Sequence, residues 1–255
     1  MKTASPAVVC LCFVLSGCFY SSTIPPKNRN AEIFATIVNI SFVGSFGTIS
    51  RGSGTMIHSS GIILTNAHII PRDYSAYGAK YQCLISMPDP ETGEPKEMYY
   101  GKPILVPELS AKYDLAFVQI EGSAYDRDSR EYQGVFPKKF IAYDDEKYCR
   151  KNSKLALGDK ISVYGYPQIG GGRNLIISEG IVSGFDKGKG WIFTSAKMSH
   201  GNSGGLAVDA NGCMVGVPAR VARDELESMG MVLSTEKVEE FCAEIMKSIE
   251  AKPVK

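Results

Sequence analysis

Residues 201–205 have the sequence GNSGG, which leaves the chain little choice of local structure. Glycine adopts backbone conformations that a Cβ atom forbids, so three glycines around one serine predict a tight turn that exposes the hydroxyl. Short apolar runs flank this segment, with Trp191–Thr194 before it and residues 205–208 after it. Such runs are typical of β-strands, so the segment predicts a loop between two strands. A glycine-rich hairpin loop without chemical activity is the simpler alternative.

Composition favours an all-β chain without a strong electrostatic partner. The 26 glycines and 13 prolines are scattered between short β-branched runs, a pattern that predicts many turns and short strands. The length of 255 residues fits one large domain or two small barrels that share a cleft. The 28 basic and 27 acidic side chains give a net charge of +1, which offers no argument for nucleic acid as a partner.

Two further segments add a histidine and an acid to the serine. Residues 65–68, with the sequence TNAH, follow the apolar run at residues 61–64. Residues 113–120 place an aspartate at the head of another apolar run. The chain contains three histidines, which limits chance matches. In chain order the three side chains are His68, Asp114 and Ser203, the order of the chymotrypsin-type triad.

On these motifs the chain resembles a trypsin-like serine peptidase from about residue 31 to residue 249. It is most similar to the HtrA/Deg group, whose versions of the motifs are TNAH, DLA and GNSGG. Residues 158–167 and 178–184 also resemble the start of that group's second barrel. The resemblance implies an all-β fold of two six-stranded antiparallel β-barrels of the chymotrypsin/trypsin type, with a C-terminal α-helix.

The resemblance also implies a role for each motif residue in a serine endopeptidase. Ser203 is expected to attack the peptide carbonyl and form an acyl-enzyme, with His68 as the general base. Asp114 is expected to fix the imidazole tautomer, and the N–H groups of Gly201 and Ser203 to form the oxyanion hole. Protein or peptide substrates are implied, with no metal or organic cofactor.

The other two histidines are alternative bases, but neither precedes a sequence that would position an acid behind it. His58 lies on a predicted strand and is expected to be a surface or packing residue. His200 lies three residues before Ser203 and is expected to line the substrate cleft.

Substrate selectivity is expected, by the same resemblance, from Lys197, about six residues before the nucleophile, and from the strand at Pro218, Ala219 and Arg220, with His200 nearby. If Lys197 points into the pocket, a narrow specificity for acidic side chains follows. If it points to solvent, a small apolar pocket remains. The alternative from another functional class is a non-catalytic surface binding protein built on a protease scaffold.

The N-terminus has the pattern of an export signal. Lys2 supplies a positive start, and residues 7–15 are apolar but too few to span a membrane. Residues 15–18, with the sequence LSGC, resemble a bacterial lipobox, which predicts a signal at 1–17, lipidation of Cys18 and a tether at 18–30. Acyl chains on Cys18 would anchor the protein at a cell envelope membrane surface. The alternative is an ordinary secretory signal and a periplasmic or secreted protein.

Cysteine usage leaves two hypotheses open. Four cysteines remain beyond Cys18, and an even number in an exported protein permits disulfides in three connectivities. Four free buried thiols are the other hypothesis. None has the spacing to a histidine that a zinc site requires, so no metal is expected. The four are Cys83, Cys149, Cys213 and Cys242.

The predicted peptidase domain covers residues 31–249. The first barrel is expected at about 31–122, beginning with a strand at 31–43, and the second at about 156–235. A helix at 236–249 is predicted from apolar residues at spacings of three and four: Val238, Phe241, Cys242, Ile245, Met246 and Ile249. Six residues follow it, so no PDZ domain is expected. HtrA relatives are often trimers, so a homo-oligomer is left open.

Overall fold

The computed structural model describes residues 29–89, 91–124, 140, 142–143, 155–223 and 228–250. Short runs rich in β-branched and aromatic residues form strands that pair antiparallel and close into two barrels. The first barrel contains β1 (Ile37–Gly44), β2 (Gly47–His58), β3 (Ile62–Thr65), β4 (Gln82–Pro88), β5 (Pro95–Ile104) and β6 (Ala116–Ser123). The second contains β7 (Lys160–Gly165), β8 (Ile176–Asp186), β9 (Trp191–Thr194), β10 (Leu206–Asp209), β11 (Met214–Arg223) and β12 (Ser228–Ser234).

The strand order is β1-β2-β3-β6-β5-β4 in the first barrel and β10-β11-β12-β9-β8-β7 in the second. The helices are α1 (Arg29–Phe34), α2 (Tyr74–Tyr77), α3 (Pro107–Tyr113) and α4 (Thr235–Glu250). Short 3-10 segments occur at Ala67–Ile69, Gly78–Lys80 and Gln168–Gly170. The predicted fold class, two six-stranded antiparallel barrels with a C-terminal helix, is confirmed.

Each barrel encloses its own apolar core, because alternate side chains of every strand point inward. The first core contains Phe42, Met56 and Tyr99, and the second contains Val163 and Ile192. Removing such side chains from water stabilises the fold by roughly 1.5–3 kcal/mol each for the larger ones. The two barrels are therefore rigid supports for the loops between their strands.

Helix α4 joins the two barrels on one side, as its apolar periodicity suggests. Phe241 and Ile245 are buried in one cluster with Leu64 and Phe117 of the first barrel and Leu233 of the second. The ring centroids of Phe241 and Phe117 are 5.4 Å apart, within the range of favourable aromatic pairs. This packing fixes the C-terminal helix against the same strands that lead into the site described below.

The prediction of a first strand over residues 31–43 is wrong in its first part. Residues up to Phe34 belong to α1, and β1 begins only at Ile37. The helix is selected by a tertiary contact, because Ile33 is buried against Tyr164, Tyr166 and their neighbours from the second barrel. Packing against the second barrel thus overrides the strand propensity of this short segment.

Three of the four cysteines beyond Cys18 are free thiols, namely Cys83, Cys213 and Cys242. Cys149 lies outside the described residues, as do the predicted signal at 1–17, Cys18 and most of the tether. In the part of the chain that the structure describes, no helix is long and apolar enough to cross a membrane.

Candidate active site

His68 lies in the single 3-10 turn that follows β3, and the backbone of Asp114 holds that turn in place. The carbonyl oxygen of Asp114 accepts hydrogen bonds from Asn66 Nδ2 at 2.8 Å and from the Ala67 amide at 3.1 Å. Both donors precede His68 directly. The position of the imidazole is therefore tied to Asp114 through the main chain, before any contact between the two side chains.

The carboxylate of Asp114 contacts the histidine ring directly. His68 Nδ1 lies 3.0 Å from Oδ1 and 2.9 Å from Oδ2, and the His68 amide donates to Oδ1 at 3.1 Å. Because a carboxylate only accepts hydrogen bonds, the proton of a neutral His68 ring lies on Nδ1. The Nε2 atom of the ring is then an acceptor. The Asp114 side chain is 14% exposed and that of His68 is 44% exposed, so solvent and ligands reach the ring.

Asp114 adopts a left-handed backbone conformation at the C-terminal end of α3, with a φ of 56°. Aspartate is one of the few residues other than glycine that tolerate this conformation. The preceding Tyr113 is anchored from outside, because its hydroxyl donates to Glu244 Oε1 of α4 at 2.7 Å. The C-terminal helix thus supports the short helix that presents the carboxylate.

Ser203 belongs to the loop at residues 199–205 (the serine loop). This loop lies between β9 and β10 of the second barrel and ends where β10 begins. The Ser203 hydroxyl donates a hydrogen bond to the Ala219 carbonyl oxygen at 3.1 Å. In the described residues it makes no hydrogen bond with His68, although both side chains line the same cleft. This cleft has a volume of about 530 Å³. Its lining residues are His68, Asp114, Met198, Ser199, His200, Ser203, Ala219, Arg220 and Val221.

The amide N–H groups of Gly201 and Ser203 have no acceptor within the described part of the chain. The carbonyl of His200 accepts from the Gln168 amide at 2.8 Å, and the carbonyl of Asn202 accepts from the Gly205 amide at 3.0 Å. In a trans peptide the N–H points opposite to the C=O of the same unit. Because the His200 and Asn202 carbonyls point toward these two donors, the N–H groups of Gly201 and Ser203 point in the opposite directions. Both N–H groups are therefore available to a ligand.

Two glycines of the serine loop are required by close backbone contacts. Gly201 has a φ of +102°, and a Cβ there would lie 2.2 Å from the Tyr166 carbonyl oxygen. Gly204 has a φ of +82°, and its Cβ would lie 2.2 Å from both the Ser53 carbonyl oxygen and Thr65 Oγ1. No side chain fits in either place, which explains the glycines that the sequence analysis singled out.

The residues predicted to set selectivity fall into two groups. Ala219 and His200 line the cleft. Lys197 is exposed and lies outside the lining, and Pro218 is buried, with its carbonyl accepting from the Gly204 amide at 2.9 Å. The alternative base His58 lies on the β2–β3 hairpin, where its Nδ1 is 2.8 Å from Ser60 Oγ. It does not line the cleft.

Met198 lines the cleft but was not selected from the sequence. A Cβ on Gly230 of β12 would lie 2.6 Å from the Met198 sulfur, so the thioether fills the space beside that glycine. A lone methionine at this position has no sequence signature, because the contact depends on strand β12, some thirty residues further along the chain.

Arg220 contributes a cation to the wall of the cleft. Its Nη2 atom lies 3.7 Å from Asp114 Oδ2, and its Cζ atom lies 5.4 Å from the ring centroid of Trp191. The Arg220 side chain is 59% exposed. The guanidinium is thus held near Asp114 while remaining open to the cleft.

Comparison with known proteins agrees with this architecture. Among solved structures, the serine endoprotease from Yersinia pestis is similar with a TM-score of 0.61 and 20% sequence identity, over 88% of this chain and 68% of that chain. At this identity the likeness concerns the fold. No curated protein matches the chain.

A protein-family model matches more than half of the sequence. The model of the trypsin-like peptidase domain matches residues 52–217. This range begins on β2, next to the serine loop, and ends on β11, so it contains His68, Asp114 and Ser203. The chain therefore belongs to the trypsin-like peptidase domain family.

Proposed function

We propose that this protein is a serine endopeptidase that cleaves protein substrates through an acyl-enzyme on Ser203. Membership of the family supports peptide-bond hydrolysis in general. The observation that carries the specific mechanism is the pair of hydrogen bonds between His68 Nδ1 and the Asp114 carboxylate, in the cleft that Ser203 lines. They leave Nε2 of the ring as an acceptor in the cleft that also contains Ser203, a nucleophile that needs a base.

In the first chemical step, Ser203 exchanges one hydrogen bond for another. Rotation about its side-chain bond moves the hydroxyl from the Ala219 carbonyl to His68 Nε2. The imidazole then takes the proton while Oγ attacks the substrate carbonyl carbon, which becomes tetrahedral. Asp114 stays ionised and stabilises the imidazolium.

The negative charge that develops on the substrate oxygen requires donors already in place. The free N–H groups of Gly201 and Ser203 are the proposed donors, and the hydrogen bonds of the His200 and Asn202 carbonyls support their orientation. Collapse of the intermediate breaks the peptide bond, and His68 gives its proton to the leaving amine. Water then attacks the acyl-enzyme by the same sequence of proton transfers and releases the acid.

The edge of β11 is the proposed binding site for the substrate peptide. Within the described residues, β11 pairs with β10 through Met214 and Gly216, whereas Ala219 and Val221 line the cleft beyond that pairing. An extended peptide can add to such an edge through main-chain hydrogen bonds. This supports a preference for unfolded or extended segments.

A fluorophosphonate probe tests the nucleophile, because it reacts with serines that a base activates. We expect labelling of the parent protein and none of Ser203→Ala or His68→Ala. Ser199→Ala and His58→Ala are matched controls that keep the proposed triad, and both should label. Labelling of Ser203→Ala would contradict the assignment.

A non-catalytic binding protein is the second candidate, and one observation favours it. The Ser203 hydroxyl donates to Ala219 in this structure, not to His68. A folded parent protein that binds peptides but neither labels nor cleaves them would support this alternative over the peptidase.

We also propose a lipid anchor on Cys18, which would hold the peptidase at a cell envelope membrane. The LSGC sequence at residues 15–18 supports it. Mass spectrometry of the N-terminal peptide after expression in bacteria tests the proposal. A diacylglyceryl mass on Cys18 that disappears in Cys18→Ser is expected, and cleavage elsewhere without any lipid would contradict it.

A further inference from the structure

Arg220 presents an incompletely paired guanidinium to the cleft. Its distance of 3.7 Å to Asp114 Oδ2 exceeds the 2.7–2.9 Å or so of a charge-assisted hydrogen bond. No other carboxylate within the described residues forms an ion pair with it. The planar group has five N–H donors, so most of its hydrogen-bonding capacity remains available.

Arg220 is the one permanently charged cation among the described residues that line the cleft. Asp114 is the one acid among the described residues that line the cleft, and both of its side-chain oxygens already face His68 Nδ1. The lining near Arg220 is otherwise neutral, with Ala219 and Val221 beside it. A negatively charged ligand group would therefore be attracted by Arg220, and the one nearby acid, Asp114, has its carboxylate turned toward the His68 ring.

The backbone and an aromatic ring fix where this cation lies. Arg220 follows Ala219 in β11, and the Ala219 carbonyl oxygen is 3.1 Å from Ser203 Oγ. Trp191 lies under the guanidinium at 5.4 Å, a cation–π arrangement that orients the group. Since an extended peptide advances by about 3.3 Å per residue, Arg220 reaches side chains within about two residues of the bond under attack.

We propose that Arg220 forms a subsite for a carboxylate side chain of the substrate close to the scissile bond. The proposal rests on the peptidase function proposed above and identifies the substrate class as acidic peptides. A guanidinium and a carboxylate form two parallel hydrogen bonds, so aspartate or glutamate fits this subsite better than the isosteric amides.

Matched peptides that differ only in glutamate against glutamine measure the effect of the charge alone. The pair is moved through the three positions before and the two after the scissile bond, and kcat/KM is measured for each. The parent protein should favour glutamate by about tenfold or more at one position, as expected of a charged hydrogen bond. This ratio should decrease with added salt.

Three variants then assign the preference. In Arg220→Gln the glutamate-to-glutamine ratio should fall to about one. Lys189→Gln is the matched control, because Lys189 forms a comparable 3.8 Å ion pair with Asp186 at the surface of the same barrel, and it should retain the parent ratio. Lys197→Gln should retain it as well, since Lys197 lies outside the cleft lining.

Four outcomes would overturn the proposal. A parent protein that cleaves both peptides equally has no acidic subsite. If the glutamate-to-glutamine ratio falls to about one in Lys197→Gln but is retained in Arg220→Gln, Lys197 causes the preference and Arg220 does not. If kcat/KM of Arg220→Gln falls equally for the glutamate and the glutamine peptide, Arg220 acts through Asp114 and does not contact the substrate carboxylate. A parent that neither labels with fluorophosphonate nor cleaves any peptide instead contradicts the peptidase function on which this subsite depends.

Discussion

The Ser53 hydroxyl donates a hydrogen bond of 2.6 Å to the carbonyl oxygen of Gly201, across the boundary between the two barrels. The Ser53 hydroxyl oxygen in turn accepts a hydrogen bond from the Tyr166 amide at 2.8 Å, and the Ser53 amide donates to the Ser203 carbonyl at 2.8 Å. Ser53 is fully buried on β2. Ser53, on a strand of the first barrel, thus holds the serine loop of the second barrel at Gly201 and at Ser203, the two neighbours of Asn202.

Ser53→Ala should lower kcat by about tenfold or more and change KM less. Without the hydroxyl, the Gly201 carbonyl and the Tyr166 amide lose a buried partner, and the proposed oxyanion donors shift from their positions. Complete loss of one such donor typically reduces kcat by about a hundredfold to a thousandfold. Steady-state kinetics with one peptide, at a temperature where urea unfolding shows the variant to be folded, measure the change.

The matched control is Thr55→Val on the same strand. Thr55 is also fully buried, and its hydroxyl has no hydrogen-bond partner among the residues that the structure describes. The substitution removes a buried hydroxyl without breaking a hydrogen bond, so kcat should stay within about twofold of the parent. A similar decrease in both variants would show that Ser53 acts through general stability.

The contact between Ser53 and Gly201 could not be predicted from the sequence, unlike much of the fold. Most strands and the C-terminal helix follow from local patterns, because apolar periodicity and glycine-rich turns are local properties, and His68, Asp114 and Ser203 follow from short motifs. The contact between Ser53 and Gly201 spans 148 residues and leaves no local pattern. Helix α3 had a detectable signature in a proline at its first position and Glu108 in its first turn. It was not predicted, and neither was the left-handed Asp114 that follows it.

Asp114→Asn should decrease kcat by several orders of magnitude while leaving the fold intact. The asparagine amide can donate a hydrogen bond to His68 Nδ1, which favours the tautomer with the ring proton on Nε2 and removes the acceptor for Ser203. The corresponding change in another enzyme with this triad lowers kcat about 10⁴-fold. Asparagine also tolerates the left-handed φ of 56°, whereas alanine would add backbone strain. Circular dichroism and probe labelling rates test both parts, and labelling at the parent rate would contradict the proposed role of Asp114.

Met198→Ala should broaden the cleft toward larger side chains. The Met198 sulfur fills the space beside Gly230, so its removal opens room next to the proposed nucleophile. Discrimination by pocket volume is typically about tenfold for one or two methylene groups. We expect the ratio of kcat/KM for a phenylalanine peptide to that for a valine peptide to rise by about that factor. Lys197→Ala, next to it but outside the lining, is the control, and an unchanged ratio in Met198→Ala would show that this wall does not touch the substrate.

Cys83 should make the folded state less stable as the pH rises above 9. Burial on β4 raises the pKa of its thiol from the ordinary value of 9.0 to about 12. The unfolded chain therefore releases this proton near pH 9, whereas the folded chain keeps it until about pH 12. Between these values the unfolded state binds fewer protons, so the free energy of unfolding decreases by about 1.4 kcal/mol per pH unit from this group. Below pH 9 the contribution is constant.

Urea unfolding of the parent and of Cys83→Ala between pH 7 and 11 isolates that contribution. Cys242, whose thiol pKa burial raises to about 11, is present in both proteins and cancels from the difference. The alanine variant should start less stable, because a buried sulfur is lost, and the gap between the two proteins should narrow steadily above pH 9. Parallel curves over this range would mean that the Cys83 thiol ionises with an ordinary pKa in the folded protein, and that the core of the first barrel admits water at β4.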